Sequence, residues 1–421
     1  MEFSRSDGLN RVVVTGMGVV APNGIGVKAF WDGLKSGRSA ISRITRFDAS
    51  TYESQIAGEV RDFTLTDYIP LKGAGKLSRF AQFALVASKF AVDDSGLKLR
   101  GEDTSKVGVV IGTAVGGFDV AEEQHSAFIS KGLCGVDPIM GANVVPNSAS
   151  GFISIYHRII GPNITISTSC SSALNAIGYA FDLIRYNRVD AVVVGGAEAP
   201  IVPLTFGSFT LTHSLSGRNA DPERASRPFE RNRDGFVISE GAAVLILESL
   251  EHAQERGARI YGEILGYGSS NDAYHISNSE PTGEQAALAI KKALSDAGLG
   301  PGSIDYVCAH GSGYPSWDVK ETKAIKIALK DRAYKVPVSS IKSMIGHPVG
   351  AGGALQAAAA IMACGEGVVP PTINYDEPDP DCDLDYVPNE SREEDINCAV
   401  CNAFGFGGNN AALIVSNGKG I

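Results

Sequence analysis

Nowhere in these 421 residues does an uninterrupted apolar run reach the roughly 18–20 residues that cross a bilayer, so no membrane partner is expected. Positive charge is also in short supply. Lys and Arg number 37 against 47 Asp and Glu, a formal net charge of -10. A nucleic-acid binder needs a basic face for phosphate, so no nucleic-acid partner is expected either. An acidic protein can still dock, because docking needs only a local basic patch. The opening MEFSRSDGLN has no apolar stretch of the secretory kind, and the expected compartment is the cytoplasm. Metal motifs are missing too: there is no HExxH and no paired CxxC. The single CxxC, Cys398 and Cys401, lies in an apolar strand and reads as core packing. TGMGVVAPNG and GTAVGG are glycine-rich but fit neither GxGxxG nor GxxxxGKS. No metal and no nucleotide cofactor is therefore expected. Seven cysteines without a secretion signal read as reduced thiols.

What is present is the alternation of an α/β protein. Short apolar runs predict strands at 11–20, 107–111, 163–167, 191–195 and 242–247. Amphipathic stretches predict helices at 78–92, 118–129, 149–159 and 171–184. A second series opens with the long strand RIYGEILGYGSSND. It continues with a helix at 285–297, a strand at 304–309, a helix at 319–329, a strand at 336–341 and a helix at 350–364. NCAVCNAFGFGGNNAALIVS closes the chain as two strands joined by a glycine-rich turn. Both series begin on a long strand and run in similar order, which predicts a duplicated architecture with halves at 1–258 and 259–421. The longest irregular segment, 212–234, carries Arg218, Arg224, Arg227, Arg231 and Arg233, and its length points to a functional loop.

Cys170 follows the strand ending near residue 167 and directly precedes a helix. That junction is the positive end of the helix dipole, which lowers a thiol pKa and favours thiolate. A lone cysteine is more often structural, so the case needs partners. His310 ends the strand IDYVCA, and His347 follows VPVSSI in KSMIGHPVG. All three residues lie at carboxyl ends of strands, where α/β folds gather their ligands.

The strings STSCSSALNAIGYA, VVGGAEA, SRPFERNRDGFVISEGAAVLILE, CAHGSG, SSIKSMIGHPVGAGGA and NAFGFGGNN, in that order along the chain, resemble β-ketoacyl-acyl-carrier-protein synthases. The likeness is to the elongating synthase II branch and the related type II polyketide ketosynthases. It implies a thiolase-like fold of two similar α/β halves in an α-β-α-β-α core. It implies an acyltransferase that condenses a Cys-bound acyl chain with malonyl-acyl carrier protein, with loss of carbon dioxide, in fatty-acid or polyketide synthesis. It also implies partnership with an acyl carrier protein, and a homodimer or a heterodimer with a chain-length-factor-like chain. Cofactors are none, the substrates riding on carrier phosphopantetheine.

By the same resemblance, Cys170 is the nucleophile, and His310 and His347 promote decarboxylation. Lys342 supports the histidines, and Phe406 is the gate. The amides of Phe406 and Cys170 form the oxyanion hole. The family usually reads HGTxTxxxD after the first histidine, and its threonines hold pantetheine. Here HGSGYPSWD stands instead, so Ser312 and Tyr314 are the pantetheine-binding candidates, with Tyr314 and Trp317 either packing under the loop, reshaping the tunnel or binding an unusual acyl group. Gln356 stands where elongating synthases often place a glutamate, which leaves Lys342 without that charge partner. Lys72, Lys76, Arg79 and Arg218 are candidate contacts for the acidic carrier. A thiolase is the competing reading. It carries a second cysteine in the final hairpin, and residues 404–410 contain none. Initiating ketosynthases use Cys, His and Asn rather than Cys, His and His.

Overall fold

A strand buried on both faces needs apolar side chains at consecutive positions, and most of the two sets of five strands among the described residues have them. The computed structural model describes residues 8–70, 77–99 and 103–419. The first set is β1 (Val12–Ala21), β2 (Val107–Gly112), β3 (Asn163–Ile166), β4 (Ala191–Glu198) and β5 (Gly241–Ser249). The second is β6 (Gly262–Asn271), β7 (Tyr306–Cys308), β8 (Val338–Ser339), β9 (Cys398–Gly405) and β10 (Asn409–Asn417). They hydrogen-bond in the order β3-β2-β4-β5-β1-β6-β10-β9-β7-β8. Read outward from the β1–β6 contact, each set therefore runs first, fifth, fourth, second, third. The senses match as well. In each set the second strand is parallel to its neighbours and the fifth is antiparallel to its own.

Among the longer helices of the described residues are α1 (Arg79–Ser95), α2 (Phe118–Lys131), α3 (Ser148–His157), α4 (Ser172–Arg185), α5 (Pro203–Leu211), α6 (Glu284–Ala297), α7 (Pro315–Leu329) and α8 (Gly352–Glu366), of which α1, α3, α4, α6, α7 and α8 pack on the strands. Side chains alternate across each strand. On β5, Ala243, Leu245 and Leu247 face a core shared with α4 and α8, while Ala242, Val244 and Ile246 face α1 and α3. On β10, Ala411, Leu413 and Val415 face the shared core, while Ala412 and Ile414 face α6 and α7. The layers are thus α1/α3, the first five strands, α4/α8, the second five strands and α6/α7, which is the five-layered thiolase-like α/β arrangement.

The duplication is also written in glycine. A Cβ at Gly16 would lie 2.3 Å from the Ala91 carbonyl oxygen and one at Gly18 2.0 Å from that of Ala87, so α1 rests directly on β1. In the second half a Cβ at Gly266 would lie 2.4 Å from the Ala293 oxygen and one at Gly268 2.2 Å from that of Ala289. TGMG and LGYG occupy equivalent strand positions, and their glycines serve helix packing rather than phosphate.

Helix α5 has no counterpart among the predicted elements. Its sequence PLTFGSFTL holds a glycine, two threonines and two phenylalanines, all weaker helix formers than alanine; the usable signal is the proline in its first turn. Cys398 faces the α6/α7 core and Cys401 the central one, so the CxxC cannot pair. Cys401 instead lies beside Cys308 on β7, and both are buried and free. No helix among the described residues is long and apolar enough to cross a membrane.

Candidate active site

Cys170 is held by a sharp elbow between β3 and α4. Ser169 sits at φ 57, in the left-handed region. The neighbouring hydroxyls sustain that turn: Ser171 Oγ donates to the Thr168 carbonyl at 2.8 Å, Ser172 Oγ to the Ser169 carbonyl at 2.6 Å, and Asn175 Nδ2 to Thr168 Oγ1 at 2.6 Å. The serines around Cys170 therefore build its backbone conformation.

His347 follows β8 and brings Nε2 to 3.2 Å from the Cys170 sulfur. His310 follows β7, and its ring centre lies 5.3 Å from that of His347 at an interplanar angle of 89°. The Phe404 amide donates to His310 Nδ1 at 3.3 Å, which leaves the ring proton of a neutral imidazole on Nε2. Burial, with Lys342 next, pushes both histidines well below the usual range, so both are uncharged at neutral pH.

Lys342 does not touch either ring. Its ammonium donates to the His310 carbonyl at 2.5 Å and to Gln356 Oε1 at 3.2 Å. Gln356 cannot supply charge, and its amide nitrogen caps the carbonyls of Cys308, Ala309 and Asn402. The negative charge comes from Glu321 on α7, which accepts the amides of His310 (2.8 Å) and Gly311 (2.6 Å) and the side chain of Asn402 (3.2 Å). Burial lifts Glu321 to about 7 and lowers Lys342 to about 8, with Glu321 foremost among the groups opposing the fall of Lys342. A second buried carboxylate, Glu198, gathers the amides of Ala114 (2.7 Å), Val115 (3.1 Å) and Gly350 (3.0 Å), joining the loop after β2 to the loop after His347. Neither glutamate was among the sequence candidates. Their usable signals are a carboxylate ending the apolar strand VVVGGAE and a second one turn beyond Asp318.

The thiol differs from expectation. Its helix-terminal position predicts a lowered pKa, but burial pushes it up to about 11, and the Ser169 hydroxyl, Lys342 and the Phe406 amide only partly offset this. At rest the sulfur is a neutral S–H beside a neutral imidazole. Alkylation of Cys170 by iodoacetamide is accordingly expected to rise roughly tenfold per pH unit between pH 7 and 10, since only thiolate reacts. Peptide mass spectrometry, with exposed Cys134 as internal reference, measures it. A plateau by pH 8 would show a thiol already ionised.

A pocket of about 610 Å³, counted out to solvent, opens over these groups and is lined in part by Cys170, His310, His347, Ser312, Tyr314 and Phe406. Phe406 sits in the turn between β9 and β10, and its amide points at the sulfur. The Ser312 amide donates to Asp318 at 3.0 Å, and the Ser312 hydroxyl accepts the Tyr314 amide at 3.2 Å. Tyr314 packs against the α6/α7 core and lines the pocket. The 212–234 segment adds Thr212 and Ser214 to the lining.

Two docking candidates are engaged elsewhere. Arg79 is 15% exposed and forks onto Glu240 at 2.9 and 2.7 Å, so its charge is neutralised inside. Arg218 binds the Asn232 carbonyl and faces Asp234. Lys72 and Lys76 lie outside the described residues. Among the described residues no cluster of three or more His, Cys, Asp or Glu side chains could hold a metal ion.

Residues 9–253 match the model for the N-terminal domain of β-ketoacyl synthases, and residues 261–376 match that for the C-terminal domain. The chain is 45% identical over 406 residues to 3-oxoacyl-[acyl-carrier-protein] synthase 2 of Coxiella burnetii, covering 96% of this chain and 98% of that protein. It is 46% identical over 403 residues to the protein of the same name from Synechocystis sp., covering 96% and 97%. Among solved structures it superposes with a TM-score of 0.91 and 36% identity on the ishigamide ketosynthase/chain length factor, covering 97% of this chain and 100% of that one. It superposes with a TM-score of 0.90 and 35% identity on a type II polyketide ketosynthase bound to the hexaketide and in complex with its acyl-carrier protein, again covering 97% and 100%.

Proposed function

We propose, from the premise that this chain belongs to the β-ketoacyl synthase family and is an acyltransferase, that it extends an acyl chain held on Cys170 with the two-carbon unit of malonyl-acyl carrier protein. The observation that carries the reading is the convergence of one thiol and two uncharged imidazoles on a single pocket, with the Cys170 sulfur 3.2 Å from His347 Nε2.

The chemistry divides between the groups. The S–H donates to His347 Nε2, and the sulfur attacks the carbonyl of the incoming thioester. A Cys170 thioester forms, the carrier thiol leaves with the proton, and one difficult transfer becomes two easier ones. The amides of Cys170 and Phe406 receive the oxyanion. Malonyl thioester then enters, and its carboxylate carbon–carbon bond breaks to release carbon dioxide. The bonding pair becomes an enolate, whose oxygen takes a hydrogen bond from His310 Nε2–H. His347, whose sulfur partner is now acylated, is free to hold its ring proton on Nε2 and donate it to the same oxygen. The enolate carbon attacks the Cys170 thioester, the carbon–sulfur bond breaks with its pair on sulfur to free the β-ketoacyl carrier product, and the Cys170 thiolate takes up a proton from solvent to restore the S–H. Lys342 and Glu321 hold the His310 turn, and Ser312 and Tyr314 lie where the pantetheine arm enters. No metal or further cofactor is needed for these steps.

The partners we assign are an acyl carrier protein and a second ketosynthase-like chain, either a copy of this one or a chain-length factor. Helix α2 supports the second partner, because none of its 14 residues is buried although Phe118, Phe128 and Ile129 are apolar. The test is intact-mass analysis after incubation with acyl-carrier thioesters, paired with carbon dioxide release from malonyl carrier. An acyl adduct on Cys170 and gas release are expected. Turnover with no adduct would sink the reading.

A further inference from the structure

Lys320 is 2% exposed, yet it touches none of the groups assigned to the reaction. Its ammonium lies 2.6 Å from Asp272 Oδ2 and 3.3 Å from Asn410 Oδ1, and Asp272 Oδ1 accepts Asn410 Nδ2 at 2.7 Å. A buried ion pair seldom adds stability over apolar residues of equal volume; its better-attested use is to fix one arrangement.

What it fixes here is the turn bearing Phe406. The Asp272 amide donates to the Gly408 carbonyl at 2.8 Å, Asn410 Nδ2 to the same carbonyl at 3.2 Å, and Asn271 Nδ2 to the Gly407 carbonyl at 2.8 Å. The Gly407 amide donates back to Ile276 at 2.7 Å. A Cβ on Gly408 would stand 2.8 Å from that of Asp272, so the turn has no slack on that side. One helical turn before Lys320, Trp317 meets Phe406 edge-on at 5.8 Å and lies 6.0 Å from His310. The Lys320 ammonium sits 5.6 Å from the Trp317 ring and 5.4 Å from Phe404.

We infer that Lys320 is a positioning residue for the gate. Paired with Asp272, it fastens the Phe406 turn to α7, and Trp317 is the surface against which the Phe406 ring closes; together they set the size of acyl thioester that reaches Cys170. Helix α7 thus couples the His310 turn, through Glu321, to the gate, through Lys320. A bulky acyl group must move the Phe406 ring off Trp317 against this fastening. The inference rests on Cys170 being the acylated residue.

The test compares the rates at which Cys170 gains a short and a long acyl group from carrier thioesters, followed by quenched-flow mass spectrometry. Lys320→Met alone strands a buried carboxylate, so the double variant Lys320→Met/Asp272→Asn is used, and Trp317→Leu tests the closing surface independently. In both, the long-to-short rate ratio is expected to rise roughly tenfold, the scale on which a pocket discriminates by size. Trp317 is one of two tryptophans, and the other, Trp31, is buried in the central core. Acrylamide quenching of the double variant is therefore expected to increase as the gate loosens, which a merely structural pair would not produce. Unchanged ratios and unchanged quenching overturn the latch. Absence of adduct even in the unaltered protein overturns the assignment of Cys170 instead.

Discussion

His310→Ala is expected to lower carbon dioxide release from malonyl-acyl carrier protein by roughly 100- to 1000-fold, the typical loss on removing one fixed donor from a developing oxyanion. The same variant is expected to keep acylating Cys170. The separation follows from what each contact uses. Glu321 and Lys342 bind the amide and carbonyl of residue 310, both of which survive the substitution, so the turn keeps its anchors. The sulfur is contacted by His347, not by His310. What disappears is the Nε2–H, whose position depends on the Phe404 amide occupying Nδ1. Because burial and Lys342 keep this ring neutral, it donates across the neutral pH range without a protonation step of its own. Gas release and adduct mass, measured on one preparation, check the split. If both fall together, His310 serves the fold or the nucleophile rather than the enolate.

The sequence makes the strands and the elbow at Cys170 legible because those features are local. Apolar runs at 107–111 and 191–195 fall within β2 and β4, and the strand-to-helix junction at Cys170 is an elbow. Partnerships across hundreds of residues are not legible in the same way. Gln356 in place of a glutamate suggests that Lys342 lacks a charge partner, yet Glu321 reaches the same neighbourhood from a different helix. Arg79 looks like free surface charge until Glu240, 161 residues away, closes on it. The sign of the Cys170 shift fails for a related reason. A helix start is visible in sequence, whereas burial is a property of everything packed around it, and here burial outweighs the groups that lower the pKa. The TGMG and LGYG pairs show the opposite case, a repeat present in the letters whose meaning emerges only when α1 and α6 are seen lying on the strands.

Cys170→Ala is expected to abolish the acyl adduct and to reduce condensation by at least about 10⁴-fold, as loss of a covalent nucleophile does elsewhere. Malonyl carrier should nevertheless still lose carbon dioxide. Decarboxylation needs donors at the enolate oxygen and a pocket that admits the thioester. His310 keeps its Phe404-fixed Nε2–H, and His347, relieved of the sulfur at 3.2 Å, is free to carry its ring proton on Nε2 and donate as well. Alanine is smaller than cysteine, so it leaves the Ser169 turn and its serine hydrogen bonds in place. With no acyl thioester to attack, the enolate takes up a proton and the product is acetyl carrier. Mass analysis of the carrier, not of the enzyme, is the decisive measurement, because it distinguishes malonyl, acetyl and β-ketoacyl forms. Intact malonyl carrier after long incubation would mean that the thiol takes part in breaking the carbon–carbon bond. The nucleophile and the imidazole pair would then act as one unit rather than as two half-reactions meeting in one pocket.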